Sequence, residues 1–344
     1  MDITRLARPN ILALNPYSCA RDEFKGTAQA FLDANENAFM RPYNRYPDPL
    51  NMDVKELIAG INGCRGSQIF LGVGSDECID MVYRVFCRPG VDNVVAIDPT
   101  YGMYSVCAAI NDVEYRPVPL NADFSLDADR VLAATDSNTK AIWVCSPNNP
   151  TGNAFAYDEL RPLFERFDGL VVVDEAYGDF NDGESMISRI DAMPGLIVLR
   201  TFSKAWGNAA IRLGMAFASE AVIDLFNKVK YPYNINALTR SQAIAMLGKA
   251  DEVATLAAEI VKVRGDLAAR LSALPTVKRV YPSQANFLLV KVDDATSLYD
   301  YLSSRGIVVR NRTNVNLCGG CLRITVGTPD ENNLLISALK DYER

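Results

Sequence analysis

Lys204 is the residue of this sequence whose surroundings best suit covalent chemistry. It lies between Phe202 and Trp206, directly after the strand-like run Leu196–Thr201. An amine with apolar neighbours loses its proton more easily than an amine in water, and it can then attack a carbonyl carbon. A lysine after a strand is otherwise a common solvated loop residue. Lys204 is therefore a candidate nucleophile whose role depends on the groups around it.

The chain contains no histidine. This excludes Ser-His-Asp and Cys-His nucleophilic sites, histidine-ligated metals and a histidine general base. Eight cysteines are scattered along the chain, several of them inside apolar runs, which is typical of buried thiols in a reducing compartment. Cys318 and Cys321 have C-x-x-C spacing, but no second pair completes a zinc site, so no metal is predicted. They are a redox pair or, as we prefer, two thiols beside a loop.

Asp174 and Asn149 are the polar residues best placed to orient a ligand. Asp174 ends the apolar run Leu170-Val-Val-Val, and a carboxylate there needs a cation to stay charged. A protonated pyridine nitrogen would supply that cation, whereas a helix cap is the structural alternative. Asn149 lies between Pro147 and Pro150, which restrain its backbone and aim its amide, or simply form a rigid turn.

An anion site is predicted at the start of one helix. Ser75 is a suitable N-cap for a helix after Gly72-Val-Gly74, and helix N-termini attract phosphate. Ser203 and Arg212 could hold the same phosphate close to Lys204. No Gly-Lys-Ser/Thr follows, and the third glycine of G-x-G-x-x-G is missing. A Walker loop is thus excluded, and a nicotinamide oxidoreductase is weakly supported.

Alternating strands and amphipathic helices from about residue 54 to 230 predict the scaffold for these residues. The pattern indicates an α/β fold with a mostly parallel sheet covered by helices. Ligands of such sheets lie beyond the carboxyl ends of the strands, so the polar segments there converge on one rim. The predicted strands are Gln68–Gly72, Val94–Ile97, Val113–Val118, Ala141–Cys145, Leu170–Asp174, Leu196–Thr201 and Leu213–Ala218.

After Pro232 the pattern predicts a smaller α+β domain. We expect an N-terminal arm over residues 1–45 that could join the small domain, a large domain over 46–232 and a small domain over 233–344. The small domain is predicted to contain a broken helical stretch over Ala237–Leu274, helices at Thr296–Arg305 and Asp330–Tyr342, and strands at Val277–Tyr281, Asn286–Val292, Ile307–Arg310 and Cys321–Val326.

The composition limits the kinds of binding partner and the cellular compartment that we expect. The chain has 344 residues, and 35 basic against 42 acidic side chains give a net charge of −7. An acidic chain is a poor binder of nucleic acid and of anionic membranes. No signal-peptide core or apolar stretch of about 18 residues is present, so we expect a cytoplasmic protein.

The order of these motifs resembles the fold-type I pyridoxal-phosphate-dependent aminotransferases, class II. The resemblance covers essentially the whole chain. It implies a large domain that binds pyridoxal 5′-phosphate, a smaller α+β domain and a homodimer with shared active sites. The segments that carry it are Leu32-Asp-Ala-Asn-Glu-Asn37, Asn44-Arg-Tyr-Pro-Asp-Pro49, residues 74–77, Pro99-Thr-Tyr-Gly-Met-Tyr104, Ser146 to Gly152, Asp174 to Tyr177, Ser203-Lys204 with Arg212, and Cys321-Leu-Arg-Ile-Thr-Val-Gly327.

The resemblance implies a role for each cofactor residue. Lys204 would be the Schiff-base lysine and the acid/base, and Asp174 would pair with the pyridine nitrogen. The other residues would hold the remaining parts of the cofactor: Asn149 and Tyr177 the ring hydroxyl, Tyr101 the ring face, Ser75, Asp76, Ser203 and Arg212 the phosphate, and Tyr46 the phosphate of the neighbouring subunit's cofactor.

The implied reaction transfers the amino group of L-glutamate to 3-(imidazol-4-yl)-2-oxopropyl phosphate, giving L-histidinol phosphate and 2-oxoglutarate in histidine biosynthesis. Arg323 would meet the substrate carboxylate or phosphate, with Arg310, Tyr17 and Asn35 also in the substrate site. Ala38 stands where the family commonly has proline, which loosens this loop.

Three other functions compete with this one. An aromatic amino-acid aminotransferase and a threonine-phosphate decarboxylase would use the same fold and the same two arginines. A ligand-sensing domain of a transcription regulator would need a DNA-binding segment, and none is found in the sequence.

Overall fold

A seven-stranded sheet forms the centre of the larger part of the molecule. The computed structural model describes residues 2–24 and 26–342. The strands of this sheet are β1 (Ile69–Val73), β2 (Asn93–Asp98), β3 (Glu114–Pro119), β4 (Thr139–Cys145), β5 (Leu170–Asp174), β6 (Leu196–Thr201) and β7 (Leu213–Ala218). Their order is β1-β7-β6-β5-β4-β2-β3, and only β7 runs antiparallel to its neighbours. This architecture confirms the predicted α/β fold.

Helices cover both faces of this sheet and also pack on a smaller one. The helices are α1 (Pro9–Leu12), α2 (Ala20–Glu23), α3 (Met52–Asn62), α4 (Gly74–Phe86), α5 (Met103–Ile110), α6 (Ala128–Ala133), α7 (Tyr157–Arg166), α8 (Glu220–Val229), α9 (Ala237–Leu247), α10 (Ala250–Ser272), α11 (Ala295–Ser304) and α12 (Pro329–Tyr342). Short 3-10 turns lie at Ile3–Leu6, Gly66–Gln68, Gly178–Phe180, Met186–Arg189 and Ala209–Ile211.

The central strands are buried on both faces, as their apolar sequences require. All five residues of β5 are buried. Alternate residues of the strand enter different cores: Val171 and Val173 belong to one hydrophobic cluster, and Leu170 and Val172 belong to the other. Because both faces of β5 are packed, the position of its carboxyl end is fixed, and so is the position of Asp174 at that end.

The smaller sheet is antiparallel throughout. Its strands are β8 (Val277–Val280), β9 (Phe287–Val292), β10 (Arg310–Asn311) and β11 (Cys321–Thr325), in the order β10-β11-β9-β8. Leu322 and Ile324 pack into the core of this unit, whereas Cys321 packs in the cluster of the large sheet. One face of β11 is therefore turned toward the large sheet.

Three local predictions are wrong. The strand predicted at Ile307–Arg310 begins only at Arg310, because residues 307–309 make no sheet pairing. Ser75 is not the helix cap: α4 begins at Gly74 with Val73 in the cap position and no side-chain cap bond. The start of the arm does not join the small domain, because residues 3–11 bury apolar side chains in the cluster that contains α4 and α8. The boundary at residues 232/233 stays a prediction.

Among the described residues, no helix combines the length and the apolar character that crossing a membrane requires.

Candidate active site

A cavity of about 530 Å³ opens at the carboxyl ends of the parallel strands, where the small sheet faces the large one. Eleven of the fourteen predicted site residues line it. They come from the ends of four strands, the start of α4 and the two arginine-bearing strands of the small sheet. They are Ser75, Asp76, Tyr101, Asn149, Asp174, Tyr177, Ser203, Lys204, Arg212, Arg310 and Arg323.

Asp174 is the buried carboxylate of this cavity. One oxygen accepts a hydrogen bond from Tyr104 Oη at 2.7 Å, and the other accepts one from the backbone N–H of Ala176 at 3.0 Å. Burial raises the pKa of Asp174 to about 6, although these two bonds lower it. No described cation lies within ion-pair distance of this carboxylate. Asp174 is thus held in place as a hydrogen-bond acceptor that forms no ion pair with a described residue.

Lys204 is a half-buried amine that lines the same cavity as Asp174. Burial lowers the pKa of Lys204, and the positive charge of Arg323 lowers it further. Its Nζ lies 5.4 Å from the centroid of the Tyr177 ring, and no described carboxylate forms an ion pair with it. A lower pKa makes this amine easier to deprotonate, and the neutral amine is the nucleophilic form.

Two tyrosines and one asparagine surround the space between these groups. The Asn149 side-chain amide donates to Tyr177 Oη at 3.3 Å, so both can meet one acceptor or hydroxyl group of a ligand. Tyr101 Oη donates to Asp76 Oδ1 at 3.0 Å, which holds the phenol ring at the cavity wall. Burial raises the pKa of both tyrosines, so both phenols remain protonated donors.

The start of α4 forms an anion-binding corner. Gly74 has φ +74°, a left-handed conformation that glycine adopts readily, and its N–H donates to the Arg212 carbonyl at 2.8 Å. The Arg212 side chain reaches Ser203 Oγ at 3.4 Å and Asp76 Oδ2 at 3.5 Å. First-turn N–H groups, a hydroxyl and a guanidinium therefore converge, a combination that suits a phosphate.

Arginines line the side of the cavity that belongs to the small sheet. Arg310 and Arg323 are direct partners in the β10–β11 pairing, as their predicted placement on neighbouring strands requires. Arg323 also donates to Asn149 Oδ1 at 2.5 Å, and burial lowers the pKa of Arg323. This part of the cavity is suited to carboxylate or phosphate groups.

Three predicted residues do not line this cavity. Tyr17 and Tyr46 are exposed by 72% and 50%, and Asn35 lies in the same N-terminal stretch. Tyr46 stacks on Tyr233 with ring centroids 4.6 Å apart. Within one chain, the segment that contains Tyr17, Asn35 and Tyr46 thus lies at the surface, apart from the cavity.

Ion pairs around Glu36 hold that structure together. Its carboxylate accepts bonds from Arg21 and Arg45 at 2.7 and 2.6 Å. Burial raises the pKa of Glu36, but the bonds from Arg45 and Arg21 outweigh it and bring the value to about 2. Glu36 Oε1 also accepts the Tyr46 N–H at 2.6 Å, which fixes the backbone at Tyr46.

Two residues outside the predicted set contribute directly to the site, Tyr104 behind the Asp174 carboxylate and Arg312 in the cavity wall. Tyr104 lies on the apolar face of α5, where its sequence position resembles an ordinary core position. The signal for its role is that α5 directly follows the rim of β2. Arg312 is not among the predicted site residues, yet it lines the cavity together with Arg310. Its spacing of two from Arg310 is the available signal, because alternate strand residues share a face.

Cys318 and Cys321 lie outside this chemistry. Both are buried, and burial raises the pKa of both thiols, that of Cys318 to about 12. A protonated thiol is a poor nucleophile, which disfavours a redox pair. Among the described residues, no group of three or more cysteine or acidic side chains lies close enough to hold a metal ion.

Comparisons with known proteins agree with this geometry. The family model for aminotransferase class I and II matches residues 9–339. The histidinol-phosphate aminotransferase of Bacteroides fragilis strain YCH46 is 55% identical over 342 residues, which cover 99% of each chain. The solved histidinol-phosphate aminotransferase of Clostridium acetobutylicum superposes with a TM-score of 0.80 at 22% identity, covering 88% of this chain and 91% of that one.

A second solved structure contains a ligand. The histidinol-phosphate aminotransferase of Sinorhizobium meliloti, in complex with pyridoxal 5′-phosphate, superposes with a TM-score of 0.78 at 25% identity and covers 90% of this chain and 89% of that one. The fold agreement spans both sheets, and the sequence agreement with the Bacteroides relative spans the whole chain. The chain therefore belongs to the class I and II aminotransferases and, within them, to the histidinol-phosphate aminotransferase family.

Proposed function

We propose that this protein uses pyridoxal 5′-phosphate to transfer the amino group of L-glutamate to 3-(imidazol-4-yl)-2-oxopropyl phosphate, giving L-histidinol phosphate and 2-oxoglutarate. The observation that carries the proposal is one cavity lined by the half-buried amine of Lys204, whose pKa is lowered, and by the buried carboxylate of Asp174. The full-length identity to the Bacteroides enzyme supports the choice of substrates. Because that identity spans 99% of the chain, it favours this reaction over an aromatic aminotransferase or a threonine-phosphate decarboxylase.

The residues present fit the cofactor. The uncompensated Asp174 carboxylate matches a protonated ring nitrogen, and the corner of Ser75, Ser203 and Arg212 matches a phosphate. The ring of Tyr101 suits stacking on an aromatic ring, and the pair of Asn149 and Tyr177 suits the hydroxyl group of that ring. When bound, pyridoxal phosphate supplies an electron-withdrawing ring that stabilises negative charge at the substrate Cα.

Each protein group then has a defined task. Lys204 would hold the cofactor as its Schiff-base lysine, and its amine would move the proton that leaves the substrate Cα. Asp174 holds the ring nitrogen in its protonated form, since its burial strengthens the attraction to that charge. Arg323 binds the carboxylate of glutamate or the phosphate of the alternate substrate, so one basic pocket serves both half-reactions in turn.

The proposal includes a homodimer with shared sites. Tyr46 does not line the cavity of its own chain, and the arm around it exposes large apolar side chains: Leu32 is 92% and Phe39 97% exposed. Such exposure on one segment is typical of a surface that another protein covers. We assign the cover to a second copy, whose cofactor phosphate Tyr46 reaches. Location in the cytoplasm stays a prediction.

The test is a screen of half-reactions with the holoenzyme. Histidinol phosphate and L-glutamate should each convert the absorbance of the bound cofactor, and Lys204→Ala should abolish both conversions. Lys262→Ala, at an exposed position on α10, is the matched control and should convert like the wild type.

The same screen separates the alternative functions. The specificity constant for histidinol phosphate should exceed that for L-phenylalanine at least about tenfold. Faster conversion by L-phenylalanine would favour an aromatic aminotransferase, and release of carbon dioxide from threonine phosphate would favour the decarboxylase. A chain that takes up no pyridoxal phosphate would end the proposal.

A further inference from the structure

Arg312 is a cavity residue whose donors are unused. It lines the cavity, and its buried Nε has no hydrogen-bond partner among the described residues. Buried donors are nearly always paired, and each unpaired one needs an explanation, often a ligand. Arg312 belongs to none of the described ion pairs, although its guanidinium is only half-buried and carries a full charge.

The backbone places Arg312 on the same face as the two other arginines. Its N–H donates to the Cys321 carbonyl at 2.9 Å, which extends the β10–β11 register by one residue beyond the pairs Arg310–Arg323 and Asn311–Leu322. Directly opposed residues of an antiparallel pair share a face, and so do alternate residues of one strand. Arg310, Arg312 and Arg323 therefore form one triad on the side of the sheet that faces the cavity.

The triad has positive charge that the protein itself does not balance. No described carboxylate forms an ion pair with any of the three arginines. Burial lowers the pKa of Arg312, and the charges of Arg323 and Arg310 lower it further, which is the sign of like charges held close together. Such an arrangement is stabilised by an anion with enough negative charge and enough acceptors for three guanidinium groups.

We propose that Arg312 is a specificity-determining residue that donates to the phosphate of the phosphorylated substrate, so that three guanidinium groups hold a dianion. The inference rests on the function proposed above and names the part of the substrate that the triad recognises. A phosphate monoester carries about −1.5 to −2 charges and three acceptor oxygens at neutral pH. The side-chain carboxylate of glutamate carries one charge and two oxygens, so it gains less from a third arginine.

The triad also explains how unphosphorylated substrates are rejected. An aromatic amino acid would place a neutral ring against three charges that had lost part of their water. Specificity that depends on leaving buried polar groups unpaired is stronger than specificity based on shape alone. Arg312 therefore contributes to the choice between histidinol phosphate and its dephosphorylated analogue L-histidinol.

The experiment measures the half-reaction of the holoenzyme with L-histidinol phosphate, L-histidinol and L-glutamate. For Arg312→Gln we expect the specificity constant for histidinol phosphate to fall about 10- to 100-fold, the range for a lost charge-assisted hydrogen bond. The specificity constant for L-histidinol should change less than about threefold. The specificity constant for glutamate should fall by a smaller factor than the one for histidinol phosphate. Arg312→Lys keeps the positive charge but loses the planar, bidentate donors of the guanidinium. It should therefore retain more of the preference for the phosphorylated substrate than Arg312→Gln does.

Arg305→Gln is the matched control, because Arg305 follows α11 at the surface with half of its side chain exposed. It should leave all three constants unchanged. Equal losses for histidinol phosphate and L-histidinol in the Arg312 variants would show a purely structural role, and unchanged constants would show no role; either result overturns the inference. A wild-type enzyme that does not react with histidinol phosphate would instead overturn the proposed function.

Discussion

At the scale of single residues, the site depends on two groups whose charged forms are both disfavoured by burial. The pKa of Asp174 is raised and that of Lys204 is lowered, because burial disfavours the charged form of each group. Tyr104 limits this effect at Asp174 by donating a hydrogen bond to the carboxylate. A ligand with a cationic ring nitrogen removes the disadvantage at Asp174, because opposite charges attract strongly where water is excluded. Ligand binding and the ionisation of Asp174 are thus linked.

The stability of the cofactor-free protein should reflect this linkage. The pKa of Asp174 is about 6 in the folded protein, against 3.8 ordinarily, so between these values the folded chain holds a proton that the unfolded chain releases. The free energy of unfolding should therefore fall as pH rises from about 4 to 6, by at most about 3 kcal/mol from this group. Urea unfolding of the wild type and of Asp174→Asn at pH 4 and pH 7 measures it.

The change in unfolding free energy between pH 4 and pH 7, compared between the wild type and Asp174→Asn, isolates the titration of Asp174. Any pH-independent cost of the asparagine, such as its amide facing the Ala176 N–H, cancels between the two pH values. We expect the variant to gain up to about 3 kcal/mol relative to the wild type on going from pH 4 to pH 7. Parallel stability profiles would mean that Asp174 has an ordinary pKa. With the cofactor bound, the fall in wild-type stability should disappear.

At the scale of elements, the anion-binding corner depends on the close approach of β7 to the first turn of α4. A methyl group on Gly214 would overlap the backbone of Gly74 and Ser75. Since the neighbouring atoms are backbone rather than the end of a flexible side chain, the turn itself would have to move. Gly214 therefore sets the geometry of the anion-binding corner, although Gly214 has no side chain that could contact a phosphate.

Gly214→Ala should weaken cofactor binding without removing any cofactor contact. We expect the dissociation constant for pyridoxal phosphate to rise at least about tenfold and the free energy of unfolding to fall by about 1–3 kcal/mol, the usual cost of overpacking. Gly265→Ala on α10 is the control, because nothing lies within 4 Å of the added methyl. That change should stabilise the protein by up to about 1 kcal/mol and leave cofactor affinity unchanged. Equal affinities in both variants would contradict the role given to Gly214.

The sequence predicted most elements because local patterns and tertiary packing agree over them. The strands Leu170–Asp174 and Leu196–Thr201 are bounded as predicted, since continuous apolar runs next to turns leave little choice of limits. The antiparallel direction of β7 was not predicted, because a buried strand has the same composition in either direction. Arg312 was missed for a related reason: it lines the cavity together with residues at the strand ends of the large sheet, which lie far from it in the sequence.

At the scale of the whole molecule, the arm is the segment that the proposed homodimer would cover. Residues 3–11 anchor it to the large sheet, and Glu36 organises the stretch that leads to Tyr46. Between these points the arm exposes apolar side chains and lacks contact with its own cavity. A stretch that is held by partly exposed ion pairs and presents exposed apolar groups is typical of an interface, which supports the homodimer proposed above.

Hybrid dimers of Tyr46→Phe and Lys204→Ala subunits test whether Tyr46 acts across the interface. Only a site with Lys204 turns over, so activity measured against pyridoxal phosphate concentration reports the affinity of those sites alone. In the Tyr46→Phe homodimer we expect that affinity to fall about tenfold, the value of one charge-assisted hydrogen bond. In the hybrid, the Lys204 site receives an intact Tyr46 from the other subunit, so its affinity should return to the wild-type value.

A Tyr43→Phe subunit paired with Lys204→Ala provides the control, because Tyr43 is an exposed tyrosine of the same segment. Its homodimer and hybrid should both bind the cofactor like the wild type. If Tyr46 instead served its own subunit, every Lys204 site of the first hybrid would keep the weakened affinity of the Tyr46→Phe homodimer. Because the two arrangements predict opposite affinities for the same population of sites, one titration decides whether a single subunit contains a complete active site.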